Sequence, residues 1–207
     1  SLAKKLANPY LISPARLAAR QPNVSFAEFD PVAKSWLAPF VMAGINTRVV
    51  HRSNALQNYG YGKEFKYDEA MMTGNGFKGR MTAMGLASGM AGFLIGAALP
   101  PTRWVLEKFV VPKPGEGPSE TSQQRGSYDL RFYGTTSKGN TLTAKVTGDM
   151  DPGYGSTGKM LGEAAVCLAL DIQNHAGGFW TPASLMGEQL IGRLQQHAGL
   201  TFELLQN

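Results

Sequence analysis

From Thr141 to Thr147 apolar and polar side chains alternate, with Leu142, Ala144 and Val146 on one side and Thr141, Thr143, Lys145 and Thr147 on the other. A period of two predicts a half-exposed antiparallel strand over 142–148. Upstream, Tyr128, Leu130 and Phe132 alternate with Asp129, Arg131 and Tyr133, and Ser137-Lys138-Gly139-Asn140 supplies turn chemistry, so the two runs read as a hairpin. Downstream comes a glycine-rich loop, 149–159, and then an almost wholly apolar helix over 160–170. Thr181-Pro182 opens a further helix, Thr as N-cap and Pro in the first turn, with Met186, Leu190, Ile191 and Leu194 on one stripe. Gly199 ends it and 200–205 reads as a terminal strand.

The first half of the chain is less regular. Residues 1–23 read as a short helix followed by irregular chain punctuated by Pro9, Pro14 and Pro22, and 24–29 as a short strand. Trp36, Phe40, Ala43, Val50 and Leu56 lie near helical spacing and predict one long helix over 35–56. Arg48 and Arg52 are four apart on it and share a face, either as a clamp for a carboxylate or phosphate or as a solvated surface. A loop over 58–62 leads to a strand over 63–72, and Pro, Gly, Ser and Glu mark 111–124 as a long loop, a candidate lid or arm.

Between them, residues 81–102 carry no charge, with Lys78 and Arg80 before and Arg103 after. That length is enough to cross a bilayer, and Gly85-x-x-x-Gly89 and Gly92-x-x-x-Gly96 permit close helix approach. Yet Gly, Ala, Ser and Thr dilute the large apolar residues. The composition therefore favours a helix buried by the domain or by a second copy over a membrane-surface element or a full span.

Hydrophobic residues at 43% and charged residues at 17% exclude a disordered chain, and 207 residues suffice for a substantial core. The elements together predict an α+β fold, a mostly antiparallel mixed sheet covered on one face by long helices. The net charge of +5 is dispersed without a basic run, so no nucleic-acid partner is expected, and an acidic small-molecule or carrier-protein partner fits equally well. The lone Cys167, in an apolar run, forms no internal disulfide and suits a reducing cytoplasm, with membrane association through 81–102 as the alternative. No basic–apolar–small leader pattern opens the sequence. One Cys and three scattered His residues offer no metal-ligand spacing.

The loop Asp149-Met150-Asp151-Pro152-Gly153-Tyr154-Gly155-Ser156-Thr157-Gly158-Lys159 concentrates the polar chemistry. Gly153-x-x-x-x-Gly158-Lys159 imitates a nucleoside-triphosphate loop, but Met160 stands where a Ser or Thr must hold magnesium, and the preceding strand alternates instead of being continuously apolar. The better expectation is a substrate site. Tyr154 and Lys159 are candidates to donate a proton or polarise an acceptor carbonyl, and Asp151, Ser156 and Thr157, with Arg48 and Arg52, are candidates to bind substrate. A glycine turn capped by Ser156 or Thr157 would explain the same residues without chemistry.

The run Gly148-Asp149-Met150-Asp151-Pro152-Gly153-Tyr154-Gly155-Ser156-Thr157-Gly158-Lys159-Met160-Leu161-Gly162-Glu163 resembles the C-terminal signature of saccharopine dehydrogenase-like oxidoreductases, a group that includes trans-acting enoyl reductases of bacterial lipid synthesis. Asn8-Pro9-Tyr10, Tyr67-Asp68-Glu69-Ala70, Pro112-Lys113-Pro114-Gly115-Glu116-Gly117-Pro118 and Gly177-Gly178-Phe179-Trp180-Thr181-Pro182 extend the resemblance over nearly all of the chain. Members of that family begin with a dinucleotide-binding domain, and no Gly-rich strand–turn–helix here matches it. The resemblance thus implies that residues 1–207 are the C-terminal substrate-binding and dimerisation domain, inactive alone, of an enzyme that uses NAD or NADP bound to its other half. The competing reading is a non-catalytic module that dimerises or touches lipid through 81–102.

Overall fold

The computed structural model describes residues 8–15, 17–113 and 115–205, so the helix expected at the very start lies outside the described residues. The architecture is α+β. In place of one mixed sheet there are two three-stranded antiparallel sheets, one in each of two compact units that meet in sequence at Pro112 and Lys113.

In the first unit, β1 (Glu28–Asp30), β2 (Ser35–Pro39) and β3 (Ala70–Gly74) form a sheet in that order. The Asp30 carboxylate accepts from the Val32 and Ala33 amides at 2.7 and 2.9 Å, which makes the tight turn between β1 and β2. The helix expected over 35–56 therefore begins late. Residues 35–39 are a strand, with Ser35, Leu37 and Ala38 buried, and α1 covers Ala43–Leu56. Pro39, which cannot donate into a helical ladder, sits at the junction. Trp36 suits both periods, which is why its spacing misled.

The strand expected over 63–72 forms only at Ala70–Gly74, and the one expected over 24–29 only at Glu28–Asp30. Before β3 the chain is held by side chains instead of a ladder. Asp68 accepts from the Val24 amide at 2.9 Å, Gln21 accepts from the Tyr67 amide at 3.0 Å, and buried Asn54 clamps the 57–62 loop through Tyr61 and Gly62. His51 is buried between Tyr10 and Phe65, ring centroids 4.9 and 5.9 Å away, and burial lowers its pKa.

The uncharged stretch forms two helices, α2 (Gly76–Ala98) and α3 (Pro100–Phe109), because Pro100 and Pro101 lack the amides needed to continue α2. The beginning of α2 packs on β2 and β3. A Cβ at Gly79 would lie 2.2 Å from the Gly74 carbonyl oxygen, so only glycine allows that approach. The expected burial of 81–102 within its own domain is confined to Ala83 and Ala87.

In the second unit the expected long loop ends in a short helix, α4 (Glu120–Arg125), capped by Ser119, which accepts from the Ser122 amide. The expected hairpin is present as β4 (Tyr128–Thr135) and β5 (Thr141–Gly148), and β6 (Leu200–Leu205) pairs on the far side of β5. Between β5 and β6 come α5 (Gly155–Leu170), α6 (Pro182–Leu185) and α7 (Gly187–His197). Thr181 and Ser184 form a capping box at α6, as the Thr-Pro signal predicts. The single helix expected there is broken at Met186–Gly187, where Gly187 has φ +44°.

Leu194, Ala198 and Leu200 form the core of this unit, with Val146, Met160, Leu190 and Phe202 packed against them. Cys167 is fully buried, and burial pushes its thiol pKa up, which keeps it inert.

Candidate functional site

The loop after β5 closes on one carboxylate. Asp151 Oδ1 accepts from the Gly153 amide at 3.0 Å, and Oδ2 accepts from the Tyr154 and Gly155 amides, both at 2.9 Å. These are donors that the start of a helix leaves without intrahelical partners. The Gly155 and Tyr154 amides, in that order, hold the Asp151 carboxyl below its ordinary range. α5 therefore starts at Gly155, five residues earlier than its apolar run suggests, and the positive end of its dipole faces the chain's own carboxylate.

Each remaining candidate in the loop has a definite place. Ser156 is fully buried, its Oγ 2.9 Å from the Tyr128 hydroxyl. Thr157 Oγ1 donates to the Pro152 carbonyl at 2.6 Å, which closes the turn. Lys159 Nζ pairs with Asp149 Oδ1 at 2.5 Å. Tyr154 alone of the group presents its ring outward, at 56% exposure, and the ring lies across Gly117, where an added Cβ would stand 3.3 Å from Cζ. Among the described residues the Tyr154 hydroxyl has no hydrogen-bond partner.

The packing behind the loop depends on glycine. A Cβ at Gly126 would meet the Asp151 backbone at 2.5 Å, one at Gly148 the Tyr128 ring at 2.2 Å, and one at Gly199 the Asp149 carboxylate at 2.2 Å. The loop is thus a rigid platform that leaves one phenol free.

The structure brings Asp151, Tyr154, Ser156, Thr157 and Lys159 together and places Arg48 and Arg52 in the other unit, on α1. The Arg52 guanidinium donates to the Ile12 carbonyl, which ties α1 to the chain start. Two groupings escaped the sequence reading. Arg193 binds Asp171 through two nitrogens and Glu163 at 3.2 Å, joining α7 to α5. In the first unit, Glu69 accepts from the Tyr67 hydroxyl at 3.0 Å and from Asn46 at 2.8 Å. Burial, and then the Glu69 charge, push the Tyr67 phenol well above its ordinary range. Separations of 30 and 23 residues leave no periodic signal for either.

The loop does not form a phosphate cradle. The Gly153–Lys159 pattern runs into the first turns of α5, the amides that would receive a phosphate already bind Asp151, and Lys159 is engaged by Asp149. No group of three or more metal-ligating side chains is present among the described residues.

Comparison with known proteins finds relatives named trans-acting enoyl reductases. A Mycobacterium tuberculosis protein provisionally named a trans-acting enoyl reductase is 37% identical over 204 residues, 92% of this chain and 48% of the relative. The trans-acting enoyl reductase of Mycobacterium ulcerans is 40% identical over 172 residues, 80% of this chain and 40% of the relative. That of Mycobacterium bovis BCG is 39% identical over 171 residues, 79% and 40%. The chain spans about half the length of the curated relatives it matches. No family model and no solved structure matches it.

Proposed function

We propose that this chain is the substrate-side part of an enoyl reductase of the saccharopine dehydrogenase-like kind, acting on a lipid acyl chain. The observation that carries this reading is the 37–40% identity, over most of the chain, to proteins named trans-acting enoyl reductases. NADH or NADPH would supply the hydride for such a reduction, and we assign its binding to other parts of the whole enzyme.

What this chain contributes is the loop. The Asp151 cap fixes the backbone of 153–155, glycines 126, 148 and 199 let the sheet and the loop pack without gaps, and the Tyr154 hydroxyl stands at the surface of that platform. A phenol held in that way can hydrogen-bond a thioester carbonyl or deliver the proton that completes reduction of the double bond. Lys159, held by Asp149, serves the electrostatics of the loop and positions it. Ser156, fully buried, supports the platform from beneath and does not touch substrate.

The test is turnover of the whole natural protein with NADH and NADPH against enoyl thioesters. Tyr154→Phe is expected to lower kcat by about 10²-fold, the usual scale for a lost proton-transfer group, with an unchanged melting temperature. Full activity in that variant would remove Tyr154 from the chemistry. The 207-residue chain alone is expected to bind neither dinucleotide, and calorimetry showing micromolar binding would overturn the assignment of the cofactor to other parts.

A further inference from the structure

We propose that the hairpin of α2 and α3 seats on an anionic lipid surface. The inference rests on the first unit alone and is independent of the enzymatic reading. α2 has two unlike halves. In the first, Gly79, Ala83 and Ala87 recur every four residues and are buried, so one stripe faces the sheet. From 88 to 98 no residue is buried, and none is buried in α3. The hairpin tip stands clear of its own unit and carries Phe93, Leu94, Ile95 and Leu99 at 44, 59, 63 and 51% exposure, followed by Trp104 and Phe109.

Phe93, Leu94 and Ile95 are consecutive. At about 100° per residue they spread over more than half of the helix circumference. A single docked helix or a second copy covers one stripe, whereas a helix that is apolar on several sides at once is matched by a large core or by a membrane.

The turn between α2 and α3 is closed by side-chain and backbone hydrogen bonds. Thr102 Oγ1 donates to the Gly96 carbonyl at 2.6 Å and approaches that of Leu99 at 3.1 Å, and the Arg103 amide donates to the Leu99 carbonyl at 2.8 Å. One carbonyl that the end of α2 leaves without an intrahelical partner, that of Gly96, is thereby satisfied.

Charge selects the kind of surface. Nothing from 81 to 102 is charged, and the flanking charges are Lys78, Arg80, Arg103, Glu107 and Lys108, with Glu107 bound to Arg103 at 2.7 Å. Lys108 Nζ lies 4.8 Å over the Trp104 ring, an aromatic–cation pair of the kind that sits at headgroup level. Residues 1–112 carry thirteen Lys and Arg against six Asp and Glu, a net +7, while 113–207 carry seven against nine, a net −2. The unit that bears the apolar tip thus holds the whole of the protein's excess positive charge, the combination that holds a peripheral helix on acidic headgroups.

The experiment is co-flotation of the 207-residue chain, and of the whole natural protein that contains it, with vesicles of phosphatidylcholine alone and of phosphatidylcholine mixed with phosphatidylglycerol. Both proteins are expected to float with the mixed vesicles and only weakly with the neutral ones, and added salt should release them. Leu94→Glu/Ile95→Glu should weaken flotation at least ~10-fold. The circular-dichroism melt should be unchanged, because both side chains are exposed. Three outcomes would overturn the proposal. The first is no flotation with either vesicle, or flotation of the double variant at wild-type level. The second is a stable lipid-free dimer that the double variant dissociates and that does not float, which would make the tip a contact between copies. The third is flotation of the 207-residue chain but not of the whole protein, which would mean that the rest of the protein covers the tip.

Discussion

At the scale of single residues, Asp151 takes the place that a bound anion takes at other helix starts, and this determines what its neighbours can do. With three amides of 153–155 bound to its carboxylate, the loop needs no ligand to hold its shape. The dependence on pH follows in sign. Backbone donors hold the folded pKa below its ordinary 3.8, so this group's contribution to stability is fully present above that value and is lost as pH falls through the lower, folded one. Asp151→Ala should melt below wild type by a constant margin at neutral pH, and the margin should shrink in titrations below about pH 4. A margin that persists unchanged into acid would mean that the cap is not ionic.

Gly199 tests the packing beneath. With φ +70° and the Asp149 carboxylate 2.2 Å from any added Cβ, Gly199→Ala should cost about 1–3 kcal/mol in denaturant titration. The sequence marked Gly199 as a helix stop but could not show that it also leaves room for the Asp149 carboxylate. Ser156 was legible as a loop hydroxyl, whereas its burial under Tyr128, 28 residues upstream, was not.

At the scale of elements, what was legible was local. The hairpin of β4 and β5, the Thr181 cap and the terminal strand all follow from alternation and turn chemistry within a dozen residues, and all are present. The errors came where two periods fit the same residues, as at 35–39, or where apolarity alone set a boundary. α5 begins at Gly155, not Met160, because a carboxylate outside the helix satisfies its first amides, which no apolar run reports. Thr181→Ala removes an acceptor and should lower stability by about 1 kcal/mol. Gly89 in α2 offers the complementary case. Nothing lies within 4 Å of a Cβ added there, so Gly89→Ala should stabilise the chain in water by roughly 0.5–1 kcal/mol through helix propensity alone. Loss of stability in that variant, read by thermal melting of the lipid-free protein, would mean that a close-packed partner occupies this face.

At the scale of the whole molecule, the division at Pro112 and Lys113 separates two sheets, each with its own helices and its own buried residues. Neither sheet borrows a strand across that boundary. The described residues of 111–119 are exposed and irregular, and Pro112, Gly115, Gly117 and Pro118 deny them a backbone ladder. A Glu-specific protease should therefore cut first after Glu116, which is exposed and has glycine on either side, while Glu163, paired with Arg193, is spared. Because every strand pairing stays within one product, both fragments should keep their secondary structure after the cut, with the product containing α2 and α3 retaining the basic charge. Loss of the circular-dichroism signal on cleavage would show that the two halves fold only as one, and a first cut elsewhere would show that 111–119 is not the most accessible segment.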